Sequence, residues 1–590
     1  MPVQGDAQGR PDGEEPDTQD AGHTGASAAA GERQREPEAS ASAHAHRQAT
    51  GAPGPVQAPR QATGAAGPAQ ARQRISGTGE GGWPAPPAGT AVRPPQPGWF
   101  DRVRAAAPAP VTTVTLWAAL ASGLVAALVL ADGLGVNLLL VALPAAVAAW
   151  AAARRAKRGL RPWTVVWAVA GLALLAVPAL RDAGWPVFLA VAGAFAMGAL
   201  ALNGGRSWAA VLFAPLGLCA GLAEGLIWGV RGVRERFAGS SGRLGPVLRG
   251  AAVAVVLLVV FGALFAGADA AFADLLGNLI PDLDEPVDGP LRLLMFALGV
   301  MGALAAARTA AAPVPWDRTR VPAGRPRGRT EWAMPLVVLT LLFAAFNAVQ
   351  LTVLFGGYDA VLRRTGLSYA DYARQGFWQL LIVTLLFLVV VVVAARTAPR
   401  SGPGDRLLVR GVLGVLCALA LVVVASAVTR MNMYVDAYGL TRLRISVLTM
   451  EFWLGLVIVL IMVAGIRGSG WLPRAVAVSA AAGVLTFGLM SPDALIAEHN
   501  VARYTEDGKL DRMYLEGLSV DAVPALDRLR EPVRSCLLAE YAGELDEDTP
   551  WYATSWSERQ ARSVLAERPV EFDPAQCVPP RERWESELYE

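Results

Sequence analysis

Between Thr113 and Met490 the chain alternates long apolar runs with short polar connections. Eleven runs stand out: 113–131, 134–153, 163–180, 185–202, 247–267, 291–311, 333–355, 377–395, 407–428, 446–466 and 472–490. A stretch such as Leu380 to Ala394, almost wholly Leu, Val, Ile and Phe, cannot stay solvated. A hydrocarbon core of roughly 30 Å takes about 20 helical residues to cross, so these runs predict membrane-spanning helices. Trp117, Trp150, Trp163, Trp185, Trp332, Trp378, Trp453 and Trp471 fall near the run ends, where an aromatic belt would place them. The pattern predicts an all-α fold, a polytopic transmembrane helix bundle over residues 99–490.

Stretch 207–230 is a twelfth apolar run, and loop charge arbitrates its role. Arg154, Arg155, Lys157, Arg158 and Arg161 mark the loop after the second run as cytoplasmic, because short cytoplasmic loops carry the excess of Lys and Arg. If 207–230 crossed, Arg231, Arg234 and Arg236 would lie outside and every later loop would invert. If it does not cross, the basic segments 231–249, 318–329, 396–410 and 467–474 all fall inside. Pro215, Gly217 and Glu224 also suit a re-entrant or interfacial segment. The reading is therefore eleven crossings in a bacterial plasma membrane, with a cytoplasmic N-terminus and an extracytoplasmic C-terminus.

Two flanks complete the organisation. Residues 1–98 are rich in Ala, Gly, Pro, Gln and Glu, with the near-repeat Arg47-Gln-Ala-Thr-Gly-Ala52 and Arg60-Gln-Ala-Thr-Gly-Ala65. They bury too little apolar surface to offset ordering entropy, which predicts a disordered cytoplasmic tail. Residues 491–590 are polar with helical character: Leu515, Leu518, Val523, Leu526 and Leu529 recur at short spacing, with Asp521 as a candidate cap. Trp551, Tyr552, Trp556 and Trp584 are candidates to anchor a small core there. In an oxidising compartment Cys536 and Cys577 are candidates for a disulfide, and free thiols are the alternative.

Composition narrows the chemistry. With 53% hydrophobic and 17% charged residues, an ordinary soluble multidomain protein is excluded. Only Lys157 and Lys509 are lysines among 52 basic residues, a bias that most simply reflects a GC-rich genome. His23, His44, His46 and His499 all lie outside the apolar runs, and no CxxC or CxxH spacing occurs, so neither metal nor cofactor is expected. Phosphate-loop, HExxH and Gly-x-Ser-x-Gly patterns are absent, and no catalytic residue is assigned. The bilayer is the expected partner, with a membrane or cell-envelope protein as a second candidate and nucleic acid not expected.

The densest chemistry lies between the runs ending near 428 and starting near 446. Arg430, Tyr434, Asp436, Tyr438, Arg442 and Arg444 crowd a short connection, and Glu451 enters the next helix. An ionisable group at that depth needs a partner, and Arg442 or Arg444 is the candidate. One reading is an anionic headgroup or phosphate site, since Arg suits bidentate contact. The other is a structural loop whose charges satisfy each other. A second cluster carries Asp359, Arg363, Arg364, Asp371 and Arg374, with Ser368 as a helix cap. An acidic segment runs from Asp269 to Asp288.

Three stretches carry a resemblance: Tyr358-Asp-Ala-Val-Leu-Arg-Arg-Thr-Gly-Leu-Ser-Tyr-Ala-Asp-Tyr-Ala-Arg-Gln-Gly-Phe-Trp378, Tyr434-Val-Asp-Ala-Tyr-Gly-Leu-Thr-Arg-Leu-Arg444 and Pro492-Asp-Ala-Leu-Ile-Ala-Glu-His-Asn-Val-Ala-Arg503. Over about 245–510 the chain resembles a family of bacterial polytopic membrane proteins known only as a domain of unknown function. The resemblance implies membrane location and topology, and brings no reaction or ligand with it. The function expected is a sensing, interaction or scaffold role through the outer loops. Its rivals are a transporter or lipid-handling protein and a membrane enzyme on a lipid-linked substrate.

Overall fold

The computed structural model describes residues 105–238, 288–319, 324–356, 369–399, 401–547, 549–573 and Cys577, with isolated positions between 250 and 272. Between 353 and 377 it describes backbone only, where it describes the chain at all. The tail 1–98, most of the run 247–267, most of the acidic segment and the cluster around Asp359–Arg364 lie outside the described residues.

The bundle comprises α1 Thr113–Val129, α2 Asn137–Arg155, α3 Pro162–Leu175, the short α4 Val177–Leu180, α5 Gly184–Asn203, α6 Trp208–Ala238, α7 Asp288–Ala311, α8 Arg329–Gly356, α9 Tyr369–Thr397, α10 Pro403–Tyr438, α11 Arg442–Arg467 and α12 Leu472–Leu489. Among the described residues, ten helices are long and apolar enough to cross a membrane. Nine coincide with runs expected from the sequence, and the tenth is α6; α1 is apolar but shorter. No strand occurs among the described residues. Several helices outrun their apolar stretches, because hydrogen bonding continues where the side chains turn polar. The clearest is α10, 36 residues beginning with Pro403 in its first turn, where a proline lacks no needed donor.

Three groups of helices make the bundle: α1, α2, α6 and α7; α3, α5 and α12; and α8 to α11, with α11 packed on α12. Helices α1 and α7 run antiparallel. Ala119 meets Leu304, Gly123 lies against Val300 and Phe296, and Arg292 pairs with Asp132 at 3.0 Å. One end of the bundle is basic. There Arg158 reaches the carbonyls of Ala310 and Leu202, Arg474 donates to Gly205 O at 3.2 Å, and Arg410 donates to Gly465 O at 3.0 Å.

A re-entrant or interfacial segment was expected over 207–230; α6 is one unbroken helix of 31 residues with Pro215 inside it. Neighbouring helices let membrane proteins absorb such a proline. Near its start, the amides of Arg206 and Ser207 donate to Asp317 Oδ1, both at 2.9 Å. Towards its other end the Trp228 indole donates to Ala109 O at 3.1 Å, and Arg236 donates to Val111 O. Residues 109–111 precede α1 and Asp317 follows α7. Because α1 and α7 are antiparallel, both ends of α6 bind segments that leave the same, basic end. Gly225 sits so close to α7 that a Cβ there would stand 2.8 Å from Ala305 N.

The C-terminal segment caps the opposite end with α13 Pro492–Asp507, α14 Arg512–Glu516, α15 Val523–Leu526, α16 Val533–Leu545 and α17 Trp556–Glu567. Its core gathers Ile496, Leu515, Leu526, Leu537, Leu538 and Tyr541, and continues into the bundle through Ile445 and Phe487. Leu515 to Leu529 do not share one helix; they spread over α14, a 3₁₀ turn, α15 and the following loop, all facing this core. The aromatic anchors also differ from expectation: Trp551 and Trp556 are exposed, and Trp584 lies outside the described residues. Aliphatic side chains bury more completely here than amphipathic indoles do. Cys536 and Cys577 form a disulfide.

Candidate functional site

The 429–444 region is mostly helix. Residues 429–438 complete α10 and Arg442 begins α11, so Gly439, Leu440 and Thr441 alone make the connection. Gly439 has φ of 78° and its N–H bonds Val435 O at 2.7 Å, closing α10. A Cβ there would collide with Asn500 Oδ1, so both backbone angle and space demand glycine. Thr441 caps α11 by accepting from Arg444 N at 3.4 Å.

The turn is clamped by α13. Asn500 donates to Leu440 O at 2.9 Å and accepts from Leu440 N at 3.0 Å, and Arg503 donates to Ala437 O at 3.0 Å. Arg442 grips Asp493 with two bonds, Nε to Oδ1 at 3.0 Å and Nη2 to Oδ2 at 2.6 Å. Asp493 is wholly buried and also accepts from Ser519 N at 2.9 Å. Burial pushes its carboxyl up, but the bonds from Arg442 and Ser519 outweigh it and hold the pKa below the ordinary carboxylate value. The Tyr514 hydroxyl, 2.7 Å away, accepts from Arg442 N.

The candidate residues therefore separate. Arg444 lies over the Tyr434 ring at 4.2 Å and donates to the carbonyls of Tyr438 and Gly439. Tyr434 and Tyr438 stack obliquely at 5.2 Å. Arg430 is buried and donates to Gln350 Oε1 of α8 at 2.9 Å. Asp436 is exposed. Glu451 is not paired with Arg442 or Arg444, contrary to expectation. It lies nine residues along α11 from Arg442, about 13 Å by helical rise, and both arginines are engaged at the turn. Glu451 is fully buried and neither carboxyl oxygen has a hydrogen-bond partner.

Two further contacts hold the C-terminal segment to the bundle, and sequence reading missed both. Asp521 Oδ2 accepts from the amides of Asp182 and Ala183 at 3.3 and 3.1 Å, serving the start of α5 as well as its own neighbour Ser519, whose hydroxyl donates to it at 3.3 Å. The Tyr552 hydroxyl donates to Asp132 Oδ2 at 2.6 Å, and Asn137 N donates to Tyr552 O at 3.2 Å. Asp493, Asn500, Asp521 and Asp132 lie 51 to 420 residues from these partners, so no local spacing announces them. The one available signal was Asp493 and Asn500 inside the stretch 492–503 that carried the resemblance.

Long apolar helices, antiparallel packing and a polar cap at one end define a multi-pass helical membrane protein. Residues 169–529 match the family model described as a domain of unknown function, DUF4153, and the chain belongs to that family. The match is wider at both ends than the motifs suggested, and it takes in α5, α6 and the part of the C-terminal core up to Leu529. No curated protein and no solved structure matches the chain.

Proposed function

We propose that this protein is a scaffold or sensor of the bacterial plasma membrane that presents its C-terminal domain on the outer surface. The observation that carries the reading is the docking of that domain. Asp493, Asp521 and Tyr552 engage three separate interhelical connections, at Arg442, at 182–183 and at Asp132–Asn137. A domain tied at three points keeps a fixed pose, as an interaction surface requires. An anion site at 430–444 is less supported, because Arg442 and Arg444 already spend their donors on Asp493 and on backbone carbonyls. A lipid-linked enzyme is also less supported, because Asp436 faces water and Glu451 is wholly buried away from it.

The orientation follows from charge. The end bearing Arg154, Lys157, Arg158, Arg206, Arg410 and Arg474 suits the cytoplasm, and a disulfide-bearing domain suits the oxidising outside. Because α6 binds the basic end at both of its own ends, it lies against that end without a full crossing. An impermeant maleimide applied to intact cells should label Glu547→Cys and miss Lys157→Cys and Glu235→Cys. Labelling of Glu235→Cys would make α6 a crossing, and labelling of Lys157→Cys would reverse the sides. For the scaffold role, a photocrosslinking residue at exposed Met513 or Trp551 should give a discrete protein adduct in cells that Asp493→Asn diminishes. Adducts to lipid alone would overturn it.

A further inference from the structure

Helices α2 and α3 are consecutive, yet they pack on different partners, α2 on α7 and α1, α3 on α5. Between them opens a cleft of about 590 Å³. Ala142, Ala149 and Ala153 of α2 form one wall, Ala168 and Gly171 of α3 the other, and Gly198 of α5 lies in the floor. From Ala142 to Arg154 the cleft follows twelve helical residues, about 18 Å of helix axis. Half of a typical hydrocarbon core is about 15 Å. The cleft thus runs the depth of one leaflet, with walls too apolar to hold ordered water.

Its rim is cationic. Arg154 lines the mouth with its guanidinium 4.6 Å over the Trp150 ring, and Arg158 lines it while held by the carbonyls of Ala310 and Leu202. Arg155 ends α2, and Lys157 and Arg161 stand in the short loop that follows. Among the described residues none of these five has a carboxylate partner, whereas Arg292, Arg308, Arg329, Arg442 and Arg534 each do. Burial, and then the charge of Arg161, lower the pKa of Arg158, so an anion at the rim would relieve the cluster. An apolar slot one leaflet deep, closed at the headgroup level by unpaired cations, is complementary to a single class of molecule already present in the bilayer.

We propose that the α2–α3 cleft binds an anionic phospholipid, one acyl chain lying among the alanines and the phosphate held at Arg154 and its neighbouring cations. The site is independent of the docked domain and of the scaffold reading.

The full chain, purified in detergent, is titrated with phosphatidylglycerol, with phosphatidylcholine and with inorganic phosphate, and retained lipid is counted by native mass spectrometry. One phosphatidylglycerol per chain should be retained at roughly tenfold lower concentration than phosphatidylcholine, with inorganic phosphate a poor competitor. Arg154→Gln with Arg161→Gln should erase the preference, and Ala146→Leu with Ala168→Leu, both on the open walls, should erase retention. If the filled cleft fails to fold, the arginine pair still decides. Equal retention of both lipids means an annular lipid only. Competition by phosphate as strong as by phosphatidylglycerol means an anion contact without a chain site. Retention that survives the filled cleft places the lipid elsewhere. Each of these three overturns the proposal.

Discussion

At the domain-bearing end, Asp493, Asp521 and Asp132 each sit on the seam between bundle and C-terminal domain, and each is met by a donor from across it. At the basic end, Arg154, Arg155, Lys157 and Arg161 have no carboxylate facing them among the described residues, and Arg158 is held only by carbonyls. The basic end pairs some of its charge too, Arg329 with the buried Asp405 and Asp317 beneath the start of α6, but it leaves the 154–161 cluster without a carboxylate, as the seam does not. Where charge is paired and buried, it fixes one solid body on another. Where it is unpaired and at the rim, it remains available to whatever lies beyond the protein, the membrane first of all. The contrast also explains why the most charged-looking sequence, 430–444, does not provide an open site: its charges are consumed in holding the seam.

The strongest way to break the contrast is to remove a paired charge. Asp493→Ala strands Arg442 at the seam and unbinds Ser519 N. Losing one partner of a buried pair costs 3–5 kcal/mol; since Arg442 is partly open to water, about 3 kcal/mol is expected. Hydrogen exchange in α13 and α14 should accelerate while α3 and α5 remain protected. Unchanged exchange in α13 would mean that the pair is not what holds the domain.

The basic end is sharpened through α6. Gly225→Leu drives a side chain into the backbone of Ala305 and Leu304, which cannot yield as a flexible side chain would. Overpacking of this kind costs about 2 kcal/mol. A lower unfolding temperature, with faster proteolysis after Arg231 or Arg234, is the expected result. A neutral outcome would show that α6 packs on α7 less closely than 2.8 Å implies.

How much of this was legible in the sequence follows from the range of the forces involved. An apolar run declares its helix because burying it is a local property, so nine membrane helices stood close to where hydropathy put them. Helix ends were less legible: the 430–438 stretch turned polar while its backbone bonds continued, and the connection expected between the runs 407–428 and 446–466 proved to be the three-residue turn Gly439 to Thr441. Asp521 looked like a cap for its own neighbours because short side chains do cap locally, yet its oxygen also serves residues 182 and 183. Glu451 was expected to be paired because burial penalises a lone charge, an argument that names a need without showing where a partner stands. Long-range pairings such as Tyr552 with Asp132 leave no trace in spacing at all.

Glu451 supplies the next test, because it is a buried carboxyl that breaks the rule of its own end. Both oxygens are unpartnered, so replacing the group with an apolar one of similar size removes a desolvated polar group without removing a bond. Glu451→Met should raise stability by about 1 kcal/mol. A lower unfolding temperature would show that the carboxyl has a stabilising partner in the membrane-embedded protein.

The smallest expected effect concerns Asp182, on the same seam as Asp521. Burial first, and then the charges of Asp521, Glu558 and Glu544, push its carboxyl up to about 6. An acid whose folded-state pKa lies above its ordinary value, 3.8, holds a proton in the folded form that the undocked form has already released. Docking is therefore strongest below about 4 on this account, weakens as the pH rises through about 6, and is level above that. Asp493 acts in the opposite sense, since its depressed pKa makes docking fail only as the pH falls below the ordinary carboxylate range. The two carboxyls leave a slope between about pH 4 and pH 6 that belongs to Asp182. Water reaches more than a third of that residue and screens its neighbours, so the effect should be about 0.5 kcal/mol or less. Asp182→Asn should flatten the slope in α13 and α17 hydrogen exchange and leave the domain slightly tighter at pH 7. A slope that persists in Asp182→Asn would assign the titration to another group on the seam.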